Sequence, residues 1–309
     1  MKNYKRTAII TGVILLAAGF VITAVASVFT AGTNYSAPFL GGELVLGQSY
    51  EPNVYTIDEP FENIYIDETS ANVHIFPSDD DICHVKYKNS KSENRSISVE
   101  NGTLKITVEK NMGWFERHGL FFIKSNNTTE IYLPEKEYQN LFIETESSDI
   151  CLSSEIKFES AELSSTGGKI YLMPAEINFL SIETTSGDIE INSSLIKSCS
   201  VTTTSGNFYS QDSNFSSLNC STISGEISFY NSAADTKATL STTSGDIIFD
   251  NFDPKSVFIN SVSGNVSGSF SSPMDVFAST NSGEVMVAAS DKYGKICEII
   301  TVSGDIDIY

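Results

Sequence analysis

Arginine and histidine are nearly missing from this 309-residue chain: three of each, and none of either beyond His118. The last 191 residues therefore hold no imidazole for general acid–base work and no guanidinium electrophile. Basic residues as a whole are scarce, 19 against 39 acidic, giving a net charge of −20 and a pI near 4.4. A nucleic-acid binder concentrates Lys and Arg on one face, so phosphate backbones are excluded as partners. Cysteine is sparse too. Cys83, Cys151, Cys199, Cys220 and Cys297 are odd in number and show no C-x-x-C or Cys/His spacing, which argues against structural zinc and against a disulfide framework. Only Cys199 and Cys220 are close enough in repeat phase to bridge. No cofactor-binding, metal-binding or catalytic residue is expected.

What is present starts with an uncharged stretch from Thr7 to Gly32, preceded by Lys2, Lys5 and Arg6. As a helix, Ala8 to Val28 spans roughly the 30 Å of a bilayer core. The positive-inside rule then predicts a cytoplasmic tail at 1–6, a transmembrane anchor at 7–32 and a single-pass cell-membrane protein whose C-terminal domain is extracytoplasmic. Ala24-Val25-Ala26 also has the small-x-small form that signal peptidase reads, so a cleaved signal peptide is the alternative. Both readings export the domain. Residues 33–55, rich in Gly, Ser, Pro and Asn, read as a spacer.

From the middle onward one phrase returns: Thr185-Ser186-Gly187-Asp188-Ile189, Thr204-Ser205-Gly206-Asn207-Phe208, Ile223-Ser224-Gly225-Glu226-Ile227, Thr243-Ser244-Gly245-Asp246-Ile247. Gly264, Gly283 and Gly304 centre three more copies, and Gly168 a degenerate earlier one. These glycines are 19, 19, 19, 20, 19, 19 and 21 residues apart. A fixed period near 20 means a solenoid or array. Seven and five residues before each glycine stand mostly apolar pairs such as Leu180/Ile182, Cys199/Val201 and Val257/Ile259, and period-two alternation predicts a strand with one buried face. The same parity turns Thr184, Thr203, Thr222, Thr242, Ser261, Thr280 and Thr301 inward, followed by the Ser before each glycine, as hydroxyl columns that stack coil upon coil. Glycine is expected to supply a backbone conformation closed to other residues, after which a second strand buries pairs such as Ile189/Ile191 and Ile247/Phe249. Each coil thus reads as strand, glycine corner, strand and return loop.

The phase extends backward to Leu141–Leu152, where Ser148 takes the glycine place, and to Ile64–Ile75, where Ala71 does. Between them lies a hairpin with Ile97 and Val99 on one arm, Asn101-Gly102 at the turn, and Leu104, Ile106 and Val108 on the other. The predicted fold class is all-β: a parallel β-solenoid of about 20 residues per coil, preceded by one transmembrane helix. Its parts are an N-terminal β region with a hairpin cap at 56–140 and solenoid repeats at 141–309. An antiparallel sandwich of repeated hairpins is the alternative.

The N-terminal apolar stretch, the hairpin, Ile131-Tyr132-Leu133-Pro134 and the serial Ser-Gly-Asp coils resemble the bacterial putative-adhesin family of β-strand-repeat proteins, over residues 55 to 309. The resemblance implies a Gram-positive type of cell-envelope protein, sometimes tied to envelope-stress operons, and brings no catalytic residues. Ala71, Ser148 and Lys169 depart from its repeat pattern.

Three features bear on function. The column Asp188, Asn207, Glu226, Asp246, Asn265, Glu284, Asp305 suits solvated turns, or a row of oxygen ligands for Ca²⁺. Trp114, Phe115, Arg117, His118, Phe121 and Phe122 form a non-repetitive cluster of aromatics and bases: a partner-contact surface, or a strand closing the core. The chain stops in the second strand of the last coil, at Asp307-Ile308-Tyr309, where an open strand edge is expected to recruit another copy or a partner. The sequence therefore predicts a non-enzymatic, membrane-anchored surface scaffold engaging an envelope or protein partner. An envelope-stress accessory acting through a membrane protein and a polysaccharide-active enzyme are the alternatives.

Overall fold

The computed structural model describes residues 52–69, 71–88, 93–110, 127–153, 156–287 and 294–309. The expected tail, anchor and most of the spacer lie outside the described residues, as does the Trp114–Phe122 cluster. Seven strands open the chain: β1 (Asn53–Ile57), β2 (Asn63–Glu68), β3 (Asn72–Pro77), β4 (Cys83–Tyr87), β5 (Glu93–Glu100), β6 (Thr103–Lys110) and β7 (Thr128–Leu133). Strands then come in pairs, one pair per coil: β8 (Glu137–Thr145) with β9 (Ile150–Leu152), β10 (Lys157–Ser165) with β11 (Ile170–Leu172), and β12 (Glu176–Thr184) with β13 (Ile189–Asn192). They continue with β14 (Leu195–Thr203) and β15 (Phe208–Gln211), β16 (Asn214–Thr222) and β17 (Ile227–Tyr230), and β18 (Ala233–Thr242) and β19 (Ile247–Pro254). The last are β20 (Ser256–Ser261) and β21 (Val266–Phe270), β22 (Asp275–Thr280) and β23 (Val285–Val287), and β24 (Ile296–Thr301) and β25 (Ile306–Ile308).

Equivalent strands of successive coils pair in parallel, which makes the fold a parallel β-solenoid and not a sandwich of hairpins. Leu163 lies beside Ile143 and Ile182, and Ile189 beside Ile170 and Phe208. Register is set by burial, because a one-residue slip would turn every inward side chain out. The first strands of the coils form one sheet and the second strands a facing sheet. Their inward residues form one continuous core that runs from Ile57 to Ile308.

The return segment is not a loop. It is the first half of a nine-residue strand whose alternation breaks once: Ile177, Leu180, Ile182 and Thr184 of β12 are all buried, so the phase shifts by one residue between the first two. Five successive coils thereby gain a further inward position ten residues before the corner glycine, or before Ser148 in the first of them, occupied by Tyr138, Phe158, Ile177, Ile196 and Phe215. At the far corner the left-handed backbone falls on Ser193, Asp212, Asn231 and Asn251, with φ between 46° and 57°. Three of these are Asn or Asp, the residue types that enter that region most readily.

Coil order in space departs from chain order at both ends. β2 and β3 are flanked by β6 and β7 outside and by β8 and β9 inside. The hairpin β5–β6, turning on Asn101 and Gly102 with φ of 51° and 73°, carries the first sheet one strand further out. β4 pairs antiparallel with β7, and β1 with β4, so the other sheet ends on β1, whose first residues fall inside the expected spacer. At the opposite end β24 lies between β20 and β22, and β25 between β21 and β23. The C-terminal strand is paired on both sides and is not an edge, contrary to the expectation from where the chain stops. The outermost coil there is β22–β23.

Candidate functional site

The corners show how the repeated polar residues are used. In each of the eight glycine coils the Ser or Thr three residues earlier accepts a hydrogen bond from the glycine N–H at 2.8–3.1 Å, from Ser165–Gly168 through Thr301–Gly304. An unpaired buried N–H costs about 1–3 kcal/mol, which explains the recurrence of the hydroxyl. The adjacent Ser column, expected inward, is exposed at Ser186, Ser205, Ser224 and Ser244.

The glycines are required for a different reason from the one expected. None of the eight has a left-handed φ. Instead the carbonyl of one corner sits against the Cα of the next, and a Cβ on Gly206 would lie 2.0 Å from the Gly187 oxygen. A Cβ on Gly304 would meet the Gly264 oxygen and one on Gly283 the Gly304 oxygen, the same non-sequential order the strands show.

The acid and amide column forms a ladder. The backbone N–H of five of its members is held by the side-chain oxygen of a neighbour: Asn207 by Asp188 at 3.1 Å, Glu226 by Asn207 at 2.9 Å, Asn265 by Asp246 at 2.8 Å, Asp305 by Asn265 at 2.9 Å, and Glu284 by Asp305 at 2.8 Å. Asp and Asn reach the neighbouring coil's amide with one carbon fewer than Glu, whose carboxylate at Glu226 accepts from Ser228 instead. The Lys169 N–H is held by Asp149 at 2.9 Å, while its ammonium reaches Asp188 at 3.3 Å, so the departure places a cation between two acids. Among the described residues no group of three or more His, Cys, Asp or Glu is arranged to hold a metal ion.

At the first end a carboxylate takes over the hydroxyl column. Glu68 occupies the place of Thr145 in register, is fully buried, and accepts from the N–H groups of Thr69 and Ala71 at 3.1 and 3.3 Å. Its two oxygens also take Arg95 Nε at 3.0 Å and a terminal Arg95 nitrogen at 3.1 Å, and the Thr129 hydroxyl at 3.1 Å. Both charged side chains are wholly inaccessible to water. Arg95 also donates to the Lys88 carbonyl at 2.9 Å. This pair ties the hairpin to the first coil and to β7. Nothing in the strand pattern announced it, although an inward-phase Glu facing a hairpin Arg was the signal available.

Outward of the second sheet at this end, Lys86 stands 4.1 Å over the Tyr132 ring, and Tyr132, Phe76 and His74 follow at 5.4 and 5.8 Å. Burial holds the His74 pKa below its ordinary value, against the opposing pull of Glu130 and Asp149. A shallow groove of about 240 Å³ is lined by residues that include Asp58, Glu59, Asp81, Phe61 and Lys136. All five cysteines are free, Cys199 and Cys220 included, and burial pushes their thiols up.

The family model described as Toastrack DUF4097 matches residues 61–309. Among solved structures, the chain is similar to a protein from Parabacteroides distasonis named as a putative lipid binding protein, 18% identical with a TM-score of 0.51, over 84% of this chain and 98% of that one. A putative adhesin from Parabacteroides merdae is 11% identical with a TM-score of 0.49, over 84% and 97%, and one from Bacteroides fragilis 13% identical with a TM-score of 0.45, over 84% and 98%. At 18% identity the first of these likenesses is one of fold alone. No curated protein matches the chain.

Proposed function

The chain belongs to the Toastrack DUF4097 family, and on that footing we propose that it is a non-enzymatic scaffold, tethered to the outer side of a bacterial membrane by its N-terminal apolar stretch, that presents its solenoid to an envelope or protein partner. The observation that carries this reading is the way the repeated polar groups are spent. Corner hydroxyls hold corner amides and column oxygens hold the next coil's amides, so the recurring Thr, Asp and Asn side chains serve the stack. Chemistry needs convergent groups at one irregular place, and the repeat distributes its carboxylates evenly along a column. The outward faces, with the Lys86–Tyr132–Phe76 band at one end, are the surface left for recognition.

Two measurements test it. A thiol introduced by Phe179→Cys, at a position 57% exposed, should react with a membrane-impermeant maleimide on intact cells; reaction only after lysis would remove the surface location. In-cell crosslinking with mass spectrometry then separates partners. Wall polymer or surface proteins support the scaffold, whereas one reproducible integral membrane protein would replace it with an envelope-stress accessory.

A further inference from the structure

We propose that the outermost coil, β22–β23, is a self-association surface that seats the same coil of a second copy about a two-fold axis. This rests on the strand order and not on the scaffold reading. With β24 and β25 tucked inside, β22 and β23 each have a partner on one side only among the described residues. An unpaired edge is a template for another strand, and natural edges are commonly blunted with Lys, Pro or inward charges. Neither β22 (Asp-Val-Phe-Ala-Ser-Thr) nor β23 (Val-Met-Val) carries Lys, Arg or Pro, and the single charge, Asp275, stands at the strand's start.

Burial points the same way. Val276, Ala278 and Val287 pack on the core yet stay only partly covered, and Val285 is 45% exposed although its equivalent in the preceding stack, Ile306, is 1% exposed. Outward-facing Phe277 and Met286 are 62% and 59% exposed. The coils from β8–β9 to β20–β21, and β24–β25, each lie between two coils of the same pattern, so the surface that complements this one is another such coil.

A dyad perpendicular to the solenoid axis sets each edge strand antiparallel to its own copy. Directly opposed residues in an antiparallel pair point to the same face, so the symmetry centre must fall on a residue and not between two. Centred on Phe277, the pairing opposes the two Phe277 rings outside, Val276 to the second copy's Ala278 inside, and Asp275 to Ser279, with no like charges facing. In the other sheet Met286 meets Met286, and Val285 meets Val287. The arrangement uses up both edges and closes at two copies instead of growing into a fibre. A six-residue strand spans about 20 Å and the sheets stand about 10 Å apart, so the contact falls in the small, transient class and dimerisation should depend on concentration.

The test is sedimentation velocity of the full chain in mild detergent over a concentration series. The wild type should move from monomer to dimer, Met286→Lys and Phe277→Lys should stay monomeric, and Phe179→Lys, exposed in mid-stack, should behave as wild type. Mild oxidation of Met286→Cys should give a reducible covalent dimer, and Phe179→Cys should not. A wild type that stays monomeric at every concentration, or a dimer that survives both lysine variants without a Met286→Cys crosslink, overturns the proposal.

Discussion

Replacing Arg95 by Met tests whether the buried pair with Glu68 holds the first end of the solenoid. The substitution preserves the aliphatic stem and removes two charge-assisted bonds, at 3.0 and 3.1 Å, from a carboxylate with no access to water. Glu68 keeps neutral donors, Thr69 N–H, Ala71 N–H and the Thr129 hydroxyl among them, and neutral donors do not balance a full buried charge. Breaking such a pair from one side costs about 3–5 kcal/mol. The loss should be local at first, since a solenoid's coils are held chiefly by their neighbours. Amide exchange in β2 and β6, at Ile64, Ile66, Leu104 and Ile106, should accelerate by roughly 10²- to 4 × 10³-fold, at about 1.4 kcal/mol per tenfold, while β14 to β17 stay protected. The double variant Glu68→Thr/Arg95→Met restores the hydroxyl found at the equivalent Thr145 and leaves no buried charge, so it should recover most of the loss. Salt up to 1 M should leave the wild-type pair intact, because it is screened far less than a surface pair. An Arg95→Met cost below about 1 kcal/mol, or a double variant no better than the single ones, would refute the assignment.

The corner contact predicts that Gly206→Ala, whose Cβ would lie 2.0 Å from the Gly187 oxygen, forces two coils apart and lowers stability by about 3 kcal/mol or more, while Ser205→Ala stays within about 0.5 kcal/mol; urea denaturation separates them. Thr203→Val should cost about 1–3 kcal/mol by leaving the Gly206 N–H unpaired. Deleting Ile296–Tyr309 should unseat β22 and β23, seen as lost exchange protection over Asp275–Val287, whereas a sequentially stacked solenoid would keep them docked. Burial raises the Cys83 and Cys297 thiols to about 12. In the unfolded chain they ionise at the ordinary value near 9, so their contribution is complete below that pH and is lost as pH climbs from about 9 to about 12. Cys83→Ala should flatten that alkaline loss in a pH series of melting temperatures.

Hydrophobic alternation and a 19- to 21-residue glycine spacing determined the coil, its two buried strands and the hydroxyl that follows them, because burial and backbone satisfaction act within one period. Apolar residues ten positions before Gly168, Gly187, Gly206 and Gly225 carried the third inward column as well, but a phase break hides it from a strict period-two reading. Two reasons, by contrast, belong to neighbours distant in sequence. Gly206 is glycine because a carbonyl from the coil beneath leaves no room for a Cβ, and Asp188 is short and oxygen-bearing because the amide it holds belongs to Asn207, 19 residues on. Strand order lay further still from the sequence. Coils of one pattern fit one another in any sequence of stacking, so the repeat alone says nothing about which is outermost. Only the folded arrangement placed β24 and β25 inside β22 and β23, and set Arg95 against Glu68 at the opposite end.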